Sequence, residues 1–127
     1  MRRVVIDTNV LVSALLNPDG TPARVLSLFL NGKVEACYDS RILHEYKEVL
    51  ARPKFPFEQV DIDALVNTFE RDGFVIAPEH TDHTFSDDAD RKFYEVATTA
   101  EAVLITGNKK HFPSEARVLS PLEFLSG

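Results

Sequence analysis

Short apolar runs alternate with stretches of helical periodicity along this chain, and that alternation limits its fold more than any other feature. Arg3–Asp7, Val34–Tyr38, Phe74–Ala77 and Val103–Thr106 read as strands, with Val118-Leu119 as a fifth. Between them, apolar positions recur at helical spacing over Asn9–Leu16, from Thr21-Pro22 to about Leu30, and from Ser40 to the Arg52-Pro53 break. Two further helices are expected, from Asp61 to Gly73 and over Ala89–Ala100, and a last helical turn over Pro121–Leu125. Thr21, Ser40 and Asp61 are the expected helix caps. Strands this short and apolar, alternating with helices, predict a parallel sheet covered on both faces. With 127 residues, one domain over residues 1–127 is expected, because the length leaves no room for a second core.

Composition narrows the class. The chain is 44% hydrophobic and 27% charged, as soluble globular domains are. No apolar run approaches the roughly 18–20 residues of a membrane span. Met1-Arg2-Arg3 meets Asp7 after only three apolar positions, too soon for a signal peptide. Cys37 is the one cysteine, so no internal disulfide can form, and a reducing cytoplasm is the expected location. Its place in an apolar strand suits a small buried residue better than a nucleophile. A net charge of −6 speaks against a protein that holds nucleic acid by bulk electrostatics. A carboxylate site that recruits divalent metal reverses the sign locally, so an enzyme acting on a polyanion stays open.

In parallel sheets, chemistry gathers at the carboxyl ends of the strands. Reading those ends gives Asp7-Thr8-Asn9 after the first strand, Glu45 in the helix after the second, Ser86-Asp87-Asp88-Ala89-Asp90 before the helix at 89–100, and Thr106-Gly107-Asn108 after the fourth. Each alone has an ordinary reading: Asp7 as a helix cap, Glu45 as a solvated helix residue, Asp87 and Asp88 as acids favoured at a helix start. Asp90 lies three and seven residues before Phe93 and Ala97, which puts a carboxylate on the core side of its helix. No lysine or arginine shares that stripe; Asp88, Arg91, Lys92 and Glu95 are expected to face solvent. Clustered carboxylates repel unless they share cations. An all-oxygen donor set suits Mg²⁺ or Mn²⁺, and such clusters serve in-line phosphoryl displacement. His80 and His83 read as surface-loop residues and His111 as a turn residue, so no histidine is placed as a base.

Taken together, these blocks resemble the PIN-domain nucleases. Val5-Ile6-Asp7-Thr8-Asn9-Val10 is similar to their opening, and Arg41–Phe55 to the central helix of one subgroup associated with the toxins of toxin–antitoxin pairs. Asp87-Asp88-Ala89-Asp90-Arg91-Lys92-Phe93, Leu104–Pro113 and Leu119–Leu125 resemble the blocks that follow, in the same order. The resemblance implies an α/β fold, a three-layer α/β/α sandwich with a five-stranded parallel sheet, and a Mg²⁺- or Mn²⁺-dependent ribonuclease. It places Asp7, Glu45 and Asp90 as catalytic and metal-binding acids, Asp87 as an additional metal-site acid, and Thr8, Asn9, Thr106 and Asn108 as supporting residues. Asn108 stands where many of these enzymes carry a fourth aspartate, which weakens the case for a second tightly held metal.

The expected partners are an RNA substrate, a cognate antitoxin and a second copy in a homodimer, with no membrane. Cleavage is expected to leave a 5′-phosphate and a 3′-hydroxyl. Arg91, Lys92, Lys109, Lys110, Arg52 and Lys54 are candidate phosphate guides, and Leu16, Leu28 and Leu30 are candidate contact residues or core. An aspartyl-phosphate phosphatase would need a second aspartate at position 9, where this chain has Asn9. The alternative that stays open is a degenerate PIN module that binds RNA or a protein without cutting.

Overall fold

Strand β1 (Arg3–Ile6) owes its central place to Val4, Val5 and Ile6, each at most 1% exposed and therefore covered on both sides. The computed structural model describes residues 1–115 and 117–127. After β1 come α1 (Thr8–Leu16) and α2 (Thr21–Leu30), then β2 (Glu35–Tyr38) and α3 (Ser40–Leu50), then α4 (Gln59–Asp72) and β3 (Phe74–Val75). A 3₁₀ turn at Asp88–Asp90 leads into α5 (Arg91–Ala100) and β4 (Val103–Ile105). A second 3₁₀ turn, Lys109–His111, precedes β5 (Val118–Leu119) and α6 (Pro121–Ser126). The five strands form one sheet in the order β3-β2-β1-β4-β5, and every pairing is parallel. Helices flank it, as expected. Helix α5 packs on β1, β2 and β4, while α4 packs on β2 and β3.

Some boundaries differ from the sequence reading, for local reasons. Asp39, in extended backbone at the end of β2, caps α3 by accepting from the Ile42 N–H at 3.0 Å, so Ser40 is the first helical residue. Gly20 occupies the cap position of α2, with Pro22 in the first turn where it needs no hydrogen-bond partner. Helix α4 starts at Gln59, which puts Asp61 in its first turn, where it favours the helix dipole instead of capping. Strand β3 is only two residues long at the sheet edge, with Val75 71% exposed. The helix expected from Ala89 splits into the 3₁₀ turn and α5. Cys37 is buried, as expected.

The core joins the sheet to its helices through aromatic contacts. Phe29 of α2 and Tyr46 of α3 lie 4.6 and 5.1 Å from the ring of Phe69 in α4. Gly73, which leads into β3, has no room for a side chain: a Cβ there would lie 2.5 Å from the Phe69 carbonyl and 2.8 Å from that of Ala36. Tyr46, 1% exposed, donates its hydroxyl to the Ile6 carbonyl, fixing the strand end just before Asp7. Burial pushes the Tyr46 phenol well above its ordinary range, so it stays a donor. Tyr46→Phe leaves that carbonyl unpaired and is expected to lower unfolding free energy by about 1–2 kcal/mol. Urea denaturation with an unchanged m-value checks this; an unchanged midpoint would show that the bond contributes nothing.

Candidate active site

Parallel pairing of β1 with β2 on one side and β4 on the other brings three separate chain segments to one sheet edge. Asp7, 6% exposed, follows β1, and its N–H donates to the Ile105 carbonyl of β4 at 3.0 Å. It occupies the cap position of α1, but its side chain makes no cap hydrogen bond. Oδ2 accepts instead from the Thr106 hydroxyl at 2.7 Å. Thr106 is fully buried and in turn accepts from the Asn108 N–H at 3.0 Å. The carboxylate is aimed across the sheet edge, which a structural cap would not be.

Glu45 comes from the middle of α3. One of its oxygens accepts from the Thr8 hydroxyl and the other lies 2.7 Å from the Lys92 ammonium. Asp90 ends the 3₁₀ turn before α5, and its Oδ2 is buried with no hydrogen-bond partner. His111 Nδ1 is 3.4 Å from that atom, without hydrogen-bond geometry. Asp87 caps the 3₁₀ turn, accepting from the Ala89 N–H at 3.0 Å. Asn9 Oδ1 accepts from the Gly107 N–H at 3.3 Å, joining the start of α1 to the loop after β4.

Asp7, Thr8, Asn9, Glu45, Asp87 and Asp90 line one cleft, whose rim carries Arg52, Lys54 and Phe55. Thr106 supports it from behind. Asn108 is exposed and contributes its backbone.

The electrostatics follow from this placement. Burial, with smaller contributions from Asp90 and Glu45, pushes Asp7 up from 3.8 to about 6, against the Thr106 hydrogen bond and the Thr8 N–H. Burial and the neighbouring Asp87 raise Asp90 as well, opposed by His111 and Lys92. The cleft therefore holds Asp7 and Asp90 above their ordinary range, which is what acids awaiting a cation show. Among the described residues, no three acid, histidine or cysteine side chains converge as a finished ligand set. Glu45 is turned onto Lys92 and Asp87 onto its own turn. The donor chemistry still fits a hard divalent ion, because every candidate atom is a carboxylate oxygen and Asp90 Oδ2 accepts no hydrogen bond.

Three residues expected to face solvent do not. Lys92 turns into the cleft, with its side chain 12% exposed. Arg91 donates to Asp88 and to the Thr81 carbonyl, its guanidinium 5.2 Å from the Phe85 ring. Glu95 is buried at 3% exposure beneath the 77–87 segment, where it bonds Arg41 and the Thr81 N–H. Asp88 is exposed, as expected. Lys92 lies off the Asp90 stripe, but its charge is near enough to lower the Asp90 carboxyl. His111, read as a turn residue, does sit in a 3₁₀ turn, but that turn brings it beside Asp90. Nothing in the spacing of positions 90 and 111 announces the pairing.

An uncharacterized protein of Methanocaldococcus jannaschii is 34% identical over 110 residues, covering 84% of this chain and 71% of its own length. The PIN domain matches residues 3–110. That family is generally one of nucleases, and its members typically bind divalent metal. The match begins in β1 and continues past β4, taking in every acid of the cleft, and the chain belongs to the PIN-domain family.

Proposed function

We propose that this protein is a Mg²⁺- or Mn²⁺-dependent endoribonuclease, the toxin of a toxin–antitoxin pair. The observation that carries the reading is the unpartnered, buried Oδ2 of Asp90, which lines the same cleft as Asp7 and Glu45. Asp7, Glu45 and Asp90 would hold the ion, with Asp87 as a further acid at the cleft wall. A divalent ion bound there supplies Lewis acidity for attack of water on a phosphodiester and offsets the phosphate charge.

The chain's own groups do the positioning. Thr106 holds Asp7 in place, Thr8 orients Glu45, and Asn9 ties the start of α1 to the loop that carries Asn108. Arg52 and Lys54 on the rim are placed to meet substrate phosphates. Attack by water with the 3′-oxygen as leaving group, the P–O3′ bond breaking as the new P–O bond forms, would give 5′-phosphate and 3′-hydroxyl ends.

The test is cleavage of labelled single-stranded RNA with Mn²⁺, Mg²⁺ or EDTA, beside a folded Asp90→Asn variant. Metal-dependent cutting is expected, with a loss of at least about 100-fold in the variant, since one ligand and its charge are removed. A 2′,3′-cyclic product would reject the mechanism. Exposure of Asn108, which adds no fourth carboxylate, favours as second reading a PIN module that binds RNA or protein without cutting. RNA retention without cleavage in either metal would select it.

The partner reading is part of the same proposal. Leu16 and Leu30 are 52% and 49% exposed on α1 and α2, apolar surface suited to a second copy or to an antitoxin, whereas Leu28 packs against the core. Among the described residues, no helix is long and apolar enough to cross a membrane. A cytoplasmic location is consistent with the one free, buried cysteine.

A further inference from the structure

Lys92 is the second residue of α5, and its ammonium lies against Glu45 at the wall of the acid cleft. It sits 2.7 Å from Glu45 Oε1 and donates to the Ala89 carbonyl. It also lies 5.0 Å from the centre of the Phe93 ring and offsets the charge on Asp90. Since the other Glu45 oxygen accepts from Thr8, both oxygens of that carboxylate are engaged, while Asp90 Oδ2 has no hydrogen-bond partner. Four acids in one cleft repel each other unless a cation lies close to them. An ammonium on a flexible four-carbon stem can fill that role and later leave it, which a rigid guanidinium fork does less readily.

We infer that Lys92 is the resident counter-cation of the acid cluster: its ammonium holds Glu45 while no divalent ion is bound and gives Glu45 up when one binds. The inference rests on the metal-dependent reading above and adds an intramolecular competitor to it. Divalent ion and lysine then share one carboxylate, so metal affinity is set partly by the strength of the Lys92–Glu45 contact. Lys92 already lines a neighbouring groove with Glu45, and that groove also holds Glu48 and Asp88, carboxylates that a released ammonium can meet. A lysine that merely fastened α5 to α3 would act in the opposite sense, and its loss would loosen Glu45 and weaken metal binding.

The two roles separate in a calorimetric titration of Mn²⁺ into RNA-free protein at physiological salt, using wild type, Lys92→Met, Lys92→Gln and Arg91→Met. Both Lys92 variants are expected to bind Mn²⁺ roughly three- to tenfold more tightly, the size of one partly buried charge contact. Arg91→Met removes a charge one residue away and is expected to change affinity by less than about twofold, because that charge is already paired with Asp88 and its other bond goes to the Thr81 carbonyl. Melting without metal should fall in the Lys92 variants, and the rise produced by Mn²⁺ should grow. Equal or weaker Mn²⁺ binding by the folded Lys92 variants, or equal tightening in Arg91→Met, overturns the inference and leaves the nuclease reading standing. Failure of all four proteins to bind Mn²⁺ overturns both.

Discussion

Asp7→Asn is expected to raise the stability of the metal-free protein at pH 7 while abolishing RNA cleavage. Burial and the neighbouring acids raise the Asp7 carboxyl from 3.8 to about 6, so ionising it in the folded state is unfavourable. Two units correspond to roughly 3 kcal/mol. The variant recovers less, about 1–2 kcal/mol, because its amide brings a new donor to a buried position. Thr106 can still donate to the amide oxygen.

The sign is fixed by linkage. A carboxyl whose folded value lies above its unfolded one favours the fold below about pH 4, and that contribution is lost as pH rises through about 6. Wild type should therefore lose stability across that window relative to the variant, and the two curves should separate most at neutral pH. Added Mn²⁺ should reverse the order, since only wild type offers the complete acid set. Thermal melts from pH 4 to 7.5, with and without Mn²⁺, check this. A variant less stable than wild type at pH 7 without metal would show that the Asp7 charge is compensated in a way the geometry does not reveal.

Glu95→Ala is expected to destabilise the fold by about 2–4 kcal/mol, the range for removing one partner from a buried, hydrogen-bonded charge. Its carboxylate accepts from Arg41 at 2.9 Å and from the Thr81 N–H at 2.8 Å, with His80 Nδ1 at 3.1 Å. Burial alone would push this carboxyl up, but the Thr81 N–H and the Arg41 guanidinium outweigh it and hold it below the ordinary 4.5. Its stabilisation is thus present above that value and lost as pH falls through the lower folded one, opposite in sense to Asp7. Arg41 is half-exposed and rehydrates after truncation, whereas the Thr81 amide loses its partner. Glu95→Gln should fall between wild type and alanine. Urea denaturation gives the magnitude, and amide exchange should report faster exchange at Thr81 before global unfolding. A loss under about 1 kcal/mol would place the network among weak surface pairs.

Much of this arrangement was legible from apolar periodicity and strand ends. β1 with Asp7, the helix carrying Glu45, and the turn carrying Asp87 and Asp90 lie where the alternation of strand and helix puts them. The α5 stripe Phe93, Val96, Ala97 and Ala100 is buried as the periodicity requires, and Arg91, Lys92 and Glu95 leave solvent because distant segments meet them: Thr81 bonds Arg91 and Glu95, and Glu45 meets Lys92. Glu95 lies off the Phe93, Val96, Ala97 stripe and is buried because the 77–87 segment lies over it, with Arg41 54 positions away. No local pattern carries that information. The cap positions moved by one residue at α2 and α3 and by three at α4: the Asp39 carboxylate takes the cap in place of Ser40, whereas Gly20 and Glu58 hold theirs by extended backbone without a side-chain bond.

The Thr106–Asp7 hydrogen bond spans 99 residues of chain. Glu45 and Asp90 fall between its ends, and β1 gains its second hydrogen-bonded neighbour only when β4 arrives. A polypeptide growing from its amino end therefore exposes each acid in turn to water, far from the others, until β4 docks. Such long-range closure is slow to form and all-or-none in effect. A nascent chain that has not yet reached β4 therefore cannot present the assembled acid cleft.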